Sequence, residues 1–144
     1  MNVEGILRTK GAHVVTIRPD ATIEELVGGL RNERIGAMVV SKDGRSVLGI
    51  ISERDVVRGL AERGSRILDQ PVADLMTRDV VSCGLGDSLK QVMAEMTRRR
   101  VRHIPVVEDG TLRGIVSIGD VVKNRLEEME TETNVLREVY IARK

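Results

Sequence analysis

Two short polar pairs set into apolar surroundings carry the chemistry this sequence has to offer: Ser52 with Asp55 in GIISERDVV, and Ser117 with Asp120 in GIVSIGDVV. In each, a β-branched run gives way after the Ser to a helical pattern, so the pair stands where a strand passes into a helix. Such a junction leaves first-turn N–H groups without helical partners, beside the positive end of the helix dipole. An anion suits that place. The Ser hydroxyl adds a donor for phosphate, and the carboxylate three residues on can accept hydrogen bonds from two neighbouring hydroxyls. Phosphate beside a vicinal diol describes a nucleotide's ribose, with the carboxylate on the diol, because beside the phosphate it would repel. Ser-x-x-Asp ahead of an apolar run is also a capping box, which stabilises a helix by about 0.5–2 kcal/mol with no ligand at all. The residues leave both roles open, and one side chain can fill both.

The elements that must position these pairs are written twice. TIEELVGGLRNERIGAMVVSKDG, from Thr22, overlays SLKQVMAEMTRRRVRHIPVVEDG, from Ser88. Each opens on a capping pattern, Thr22 to Glu25 and Ser88 to Gln91. Ile23, Leu26, Val27 and Leu30, and likewise Leu89, Val92, Met93 and Met96, then recur at i, i+3, i+4 and i+7, the spacing of one helical face. An apolar run follows, AMVV at Ala37 and IPVV at Ile104, then Asp43-Gly44 or Asp109-Gly110, a dipeptide that favours a hairpin. The chain returns as VLGIIS from Val47 or LRGIVS from Leu112, and second helices are expected from Asp55, closed by Gly64, and from Asp120. Lead strands are expected at VVTI, from Val14, and VVSC, from Val80. This predicts an α/β (α+β) fold of two β-α-β-β-α repeats, at 1–66 and 67–128, joined through Ser65–Asp79, with a helical extension over 129–144. Units of about 60 residues are marginal alone, so their apolar faces are expected to pack on each other as one pseudo-symmetric module.

Composition narrows the functions. Of 144 residues, 23 are Lys or Arg and 22 Asp or Glu, a net charge of +1 that gives no broad footprint for nucleic acid. One Tyr, with no Phe or Trp, leaves almost nothing for stacking bases or caging a cation. No apolar run approaches the roughly 18 residues of a membrane span. The N-terminus shows no export signal, so a cytoplasmic location is expected. Cys83 is the single cysteine, without a disulfide partner in its own chain, and no spacing joins it with His13 or His103 as a metal site or a nucleophile with its base. The carboxylates lie in helical surface patterns, and no acid/base pair stands out. An enzyme is not expected. Arg98, Arg99 and Arg100 fall at a helix end, where cations complement the dipole. In the tail, Leu126, Met129, Thr133, Leu136 and Tyr140 form an a/d seam along a charged helix, to dock on the module or on a second copy.

The repeated order of elements, the paired GIISERDVV and GIVSIGDVV, and the supporting IGAMVV and RHIPVV resemble a tandem pair of cystathionine-β-synthase-type (CBS) domains, a Bateman module. The resemblance covers nearly the whole chain and is to the stand-alone class. It implies that Ser52, Asp55, Ser117 and Asp120 contact the phosphate and ribose of an adenine nucleotide. It further implies that segments around Thr16 and Ser82, with Ala37, Met38, His103, Ile104 and Pro105, frame the adenine, largely through backbone and apolar groups. In such pairs each cleft draws on both repeats, so Arg102 and His103 are expected to reach a phosphate over the first repeat's helix, and Arg54 to do likewise. Gly119 stands where the first copy has Arg54, so the two clefts are expected to differ, the first taking the more highly phosphorylated ligand. AMP, ADP, ATP, NAD(H) and S-adenosylmethionine all fit the resemblance. AMP, or a dinucleotide containing it, is favoured, and no metal is required. A homodimer regulating another protein is the expected assembly.

Overall fold

In the computed structural model, which describes residues 1–142, each half of the chain builds the same pieces from the same local cues. Thr22 and Ser88 accept the amides of Glu25, at 3.2 Å, and Gln91, at 3.1 Å. They thereby open α2 (Ile23–Glu33) and α4 (Leu89–Arg99), numbered after an N-terminal helix α1 (Val3–Lys10). Both helices end on an arginine in the left-handed region, Arg34 and Arg100, each at φ 55°. The expected stripes are buried at Ile23, Leu26 and Leu30 and at Leu89, Val92 and Met96, while Val27, at the stripe's edge, is exposed.

The first sheet has the order β1-β2-β3. β1 (Thr16–Ile17) lies parallel to β2 (Ala37–Val40), which pairs antiparallel with β3 (Gly49–Ser52). The second sheet is the antiparallel pair β4 (His103–Glu108) and β5 (Thr111–Ser117). The strand expected at Val80–Cys83 does not form. Cys83 alone bonds the sheet, its amide donating to Pro105 at 3.0 Å and its carbonyl accepting from Val107 at 2.8 Å. The chain then turns off at Gly84, whose amide is held by Asp87 at 2.9 Å. The hairpins differ too. Asp109 and Gly110 both have positive φ, 52° and 75°, as a tight two-residue turn requires. In the first copy only Gly44 does, and Asp43 holds a longer loop by accepting from the amides of Arg45, at 2.9 Å, and Ser46, at 2.8 Å. These bonds pull its carboxyl far below the usual range.

The closing helices are α3 (Glu53–Arg63) and α5 (Ile118–Ala142). Both begin two residues before the aspartate at which the sequence pattern places them, because Ser52 and Ser117, not the aspartates, are the N-caps. Residues 143 and 144 of the expected tail extension lie outside the described residues.

The buried residues fall into two clusters that do not follow the order of the chain. One gathers α4, β4 and β5 with Val3, Ile6 and Leu7 of α1. The other gathers α2, β2 and β3 with Ile67, Val72 and Met76 from the joint, where 3-10 turns run over Gly64–Asp69 and Val72–Asp74. Each lead segment thus crosses to the opposite repeat, and the crossings match. Val3 and Glu4 donate to Asp87 and Leu85, both at 3.0 Å, as Val72 and Ala73 donate to Ala21, at 2.7 Å, and Pro19, at 3.0 Å. The two halves of the chain are therefore repeats of sequence whose cores exchange their lead segments.

Ala37 and Val39 are buried yet belong to neither cluster. The period of two turns them to the opposite face of β2 from Met38 and Val40. On that side the second repeat approaches. The His103 ring comes within 3.3 Å of where a Gly36 Cβ would be, and Leu112 donates its amide to Arg45 at 2.7 Å. The module is held by that seam and by the exchanged segments, with a core on either side instead of one between the repeats.

Candidate functional site

At the start of α3, the Ser52 amide donates to Asp55 Oδ2 at 2.9 Å, and the Asp55 amide donates back to Ser52 Oγ at 3.4 Å. At the start of α5, Ser117 and Asp120 repeat both bonds, at 2.9 and 3.2 Å. Both Ser-x-x-Asp pairs are therefore complete capping boxes. The first amide of each helix is also taken, Glu53 donating to Gly36 at 3.0 Å and Ile118 to Arg102 at 2.8 Å. The anion-facing set is thus smaller than the several free amides expected from sequence. These bonds leave over the second amide of each turn, on Arg54 and on Gly119. They also leave over Oδ1 of each carboxylate, since the caps use Oδ2.

Strand register places Ala37 opposite Ser52 and His103 opposite Ser117, so both seams have a strand residue lying beside the N-cap. His103 occupies the place where the seams meet. Its ring abuts Gly36, and Glu53, at the first turn of α3, also lies against Gly36, its carboxyl carbon 3.8 Å from the would-be Cβ. Burial lowers the imidazole's pKa most; Glu53 and Asp120 oppose that shift, and Lys10 and Arg102 add to it. The imidazole is thereby biased towards its neutral form.

The remaining sequence candidates spread over both faces of the sheets. Met38 and Ile104 point into the two cores, so what they can offer a ligand is backbone. Pro105 shares a strand face with His103 and is buried, Thr16 is half-buried on β1 opposite Val39, and Ser82 is exposed outside any strand. Arg54 and Arg102 are exposed.

One residue of the site escaped the sequence. Lys10, at the end of α1, places Nζ 2.7 Å from Asp120 Oδ2. Burial raises the Asp120 pKa, and the bonds from Lys10 and Ser117 outweigh it, leaving the carboxyl below its usual range. Gly119 brings no cation to this turn, but Lys10 does, so the second seam is not the cation-poor one that comparing SERD with SIGD suggests. A lysine 110 positions away leaves no local signal. The two lead segments do share a pattern, NVEGIL at Asn2 and PVADLM at Pro71, but that likeness does not say which core each one enters.

The crossings also account for the glycine that opens both signatures. A Cβ on Gly49 would stand 2.7 Å from the Thr77 carbonyl oxygen, and one on Gly114 would stand 2.7 Å from the Leu7 methyls. Among the described residues, no three His, Cys, Asp or Glu side chains gather as for a metal, and no helix is long and apolar enough to cross a membrane.

Comparison with known proteins identifies the fold. The CBS domain profile matches residues 3–62 and again 72–127. The CBS-domain containing protein ATU1752 from Agrobacterium tumefaciens superposes with a TM-score of 0.83 at 47% identity, over 86% of this chain and 92% of that one. The mitochondrial CBS domain-containing protein CBSX3 of Arabidopsis thaliana is 35% identical over 78% of this chain, which spans only 57% of that protein. At 22% identity and a TM-score of 0.78, over 89% of this chain and 98% of the other, the fold also matches the CBS domain pair of MJ0100. That pair was solved with 5′-methylthioadenosine and S-adenosyl-L-methionine. Two profile matches, two exchanged lead segments and two equivalent Ser-x-x-Asp turns lead to one statement: the chain belongs to the CBS-domain family, as a tandem pair forming a Bateman module.

Proposed function

We propose that this chain is a stand-alone cytoplasmic regulatory sensor that binds adenine nucleotides at the seams beside Ser52–Asp55 and Ser117–Asp120, does no chemistry on them, and signals by a change of conformation. The observation that carries the reading is the pair of equivalent helix starts. Each keeps an amide and a carboxylate oxygen beyond its own cap, and His103 stands between them. A ribose diol takes Oδ1 of the aspartate, the phosphate takes the amide of Arg54 or Gly119, and the adenine lies along β2 or β4 beside Ala37 or His103 and Pro105. Thr16 and Ser82 bound the same pockets from the lead segments, through the backbone. Arg54, Arg102 and Lys10 supply the cations. The adenosine-type ligands held by the MJ0100 pair support the class. AMP, or a dinucleotide containing it such as NAD(H), is favoured over ATP, because each seam has few cations for a triphosphate; ADP and S-adenosylmethionine belong to the same candidate class. Binding shifts the repeats, or the subunits of a homodimer, only as far as the two arrangements differ in affinity.

A second reading has a specific observation behind it. Both capping boxes are complete without a ligand, as a purely structural interaction module would require. Thermal-shift titration with the five ligands separates the two readings. A ligand at 100 times its dissociation constant adds about 2.7 kcal/mol of stability, whereas an unmoved melting temperature with all five leaves the structural module. Mass spectrometry of whatever co-purifies with the undisturbed protein names the ligand.

A further inference from the structure

The second half of α5 extends past the buried part of its module. Every residue from Met129 to Ala142 is exposed, although the helix carries an apolar stripe. Val122, Leu126, Met129, Leu136 and Tyr140 are all large and exposed, and with Thr133 they recur at alternating spacings of four and three. That is the a/d seam of a left-handed coiled coil, with Leu126, Thr133 and Tyr140 at a, and Val122, Met129 and Leu136 at d. The module-facing side of the helix is a different one, carrying Val121, Asn124, Arg125 and Glu128, and it ends where the N-terminal amine meets Glu128 at 3.8 Å.

The charges beside the stripe say what covers it. Arg125 and Glu132 fall at g, and Glu130 and Arg137 at e. In a parallel, in-register pair, g of one helix faces e of the next heptad in the other. Glu132 then meets the partner's Arg137, twice by symmetry and between opposite charges; Arg125 lies on the module side against its own Glu128, at 3.2 Å, and near its own Glu132, at 4.0 Å, and adds only a longer-range attraction to the partner's Glu130. The antiparallel alignment that uses the whole stripe sets Val122 against the partner's Tyr140. It brings Glu130 close to the partner's Glu130 and Glu132 close to the partner's Glu132. Like charges penalise that arrangement, and the parallel one has no such clash. We propose that α5 pairs with α5 of a second copy of this chain, parallel and in register from Val122 to Tyr140, fixing two modules side by side with their α3 and α5 helix starts facing the same way. The inference deepens the homodimer reading and does not depend on any nucleotide.

A single cysteine tests the register. Thr133→Cys places a thiol at the central a layer, where only a parallel, in-register pair sets it against itself. Native Cys83 does not interfere, because it is buried and its thiol pKa is pushed up to about 12. Under mild oxidation the full-length variant is expected to run as a covalent dimer, and Glu138→Cys, on the outer face, is not. In sedimentation, Leu136→Asp is expected to weaken dimerisation at least tenfold with the circular dichroism of the module unchanged. The proposal is overturned if Thr133→Cys stays monomeric on oxidation while a mixture with Met129→Cys links as heterodimers, which is the antiparallel outcome. It is equally overturned if Leu136→Asp leaves the sedimentation unchanged.

Discussion

At the start of α3, among the described residues, Asp55 Oδ2 accepts only from Ser52, from its amide at 2.9 Å and its hydroxyl at 3.1 Å. At the start of α5, Asp120 Oδ2 accepts from the Ser117 amide at 2.9 Å and, at 2.7 Å, from Lys10. Nearly identical local sequences give nearly identical caps, and a residue from the far end of the chain gives one of them an ion pair. The difference lies in the lead segments. The one entering the second repeat's core is a two-turn helix ending in a lysine, while its counterpart in the first is a 3-10 turn whose nearest cation, Arg78, donates to the Ala73 carbonyl at 3.2 Å. Local pattern makes the two turns alike, and the exchanged segments set their charge.

The comparison is tested most severely at the crossings themselves. Leu7→Ala is expected to cost about 2–5 kcal/mol. The loss should appear as faster hydrogen exchange in α4, although Leu7 lies in the sequence of the first repeat. Met76→Ala should have the mirror effect on α2, and exchange confined to the mutated residue's own repeat would break the picture of exchanged ends. Next come the signature glycines. Gly49→Ala, aimed at a backbone carbonyl, is expected to lose about 1–3 kcal/mol by denaturant titration. Gly114→Ala should lose visibly less, because the Leu7 methyls can rotate away, and equal losses would mean that Leu7 is as fixed as the backbone.

Removal of the carboxylate that closes each capping box comes third. Asp55→Ala and Asp120→Ala leave the N-cap serines in place, remove the bond returned to the N-cap amide, and should each cost about 0.5–1.5 kcal/mol. The second should cost more at low salt, with the gap closing as salt rises, since only Asp120 also holds a lysine. A gap indifferent to salt would remove Lys10 from the account. The smallest effect is that of Lys10→Met, about 0.2–1 kcal/mol at neutral pH. Its signature is in acid. The Asp120 carboxyl is depressed in the folded protein, so its contribution is present above the ordinary carboxylate pKa of about 3.9 and is lost as pH falls through the folded value. Without Lys10 the folded value rises, and stability should fall away at higher pH during acid titration. Superimposable acid-unfolding curves for Lys10→Met and the wild type would contradict this.

Much of the architecture could be read before any coordinates, because it follows from short-range rules. Apolar spacing marked α2 and α4, Asp109-Gly110 marked a turn that needs positive φ at both residues, and Ser-x-x-Asp marked two helix starts. The errors have local causes as well. The run from Val80 to Cys83 has strand composition, but Asp87 captures the Gly84 amide and bends the chain away after one bonded residue. Val27 has the right spacing for burial but stands at the edge of the buried stripe and is exposed. At the candidate site, the aspartates, serines and His103 were legible from type and position. Their state of engagement was not, because whether a cap oxygen is spent depends on which carbonyl or ammonium group the fold brings to it.

By itself the sequence determined the doubled order of helices and strands, the two capped turns and the apolar stripe of the last helix. All of these are set by residues within about seven positions of one another, where chain geometry alone decides what meets. Only the tertiary structure decided that α1 completes the second core, that the joint completes the first, that Lys10 reaches Asp120 and that His103 lies on Gly36. Those contacts join residues far apart along the chain, and which of them form depends on how two half-sized cores bury their open faces together, a property of the whole packing that no short stretch contains.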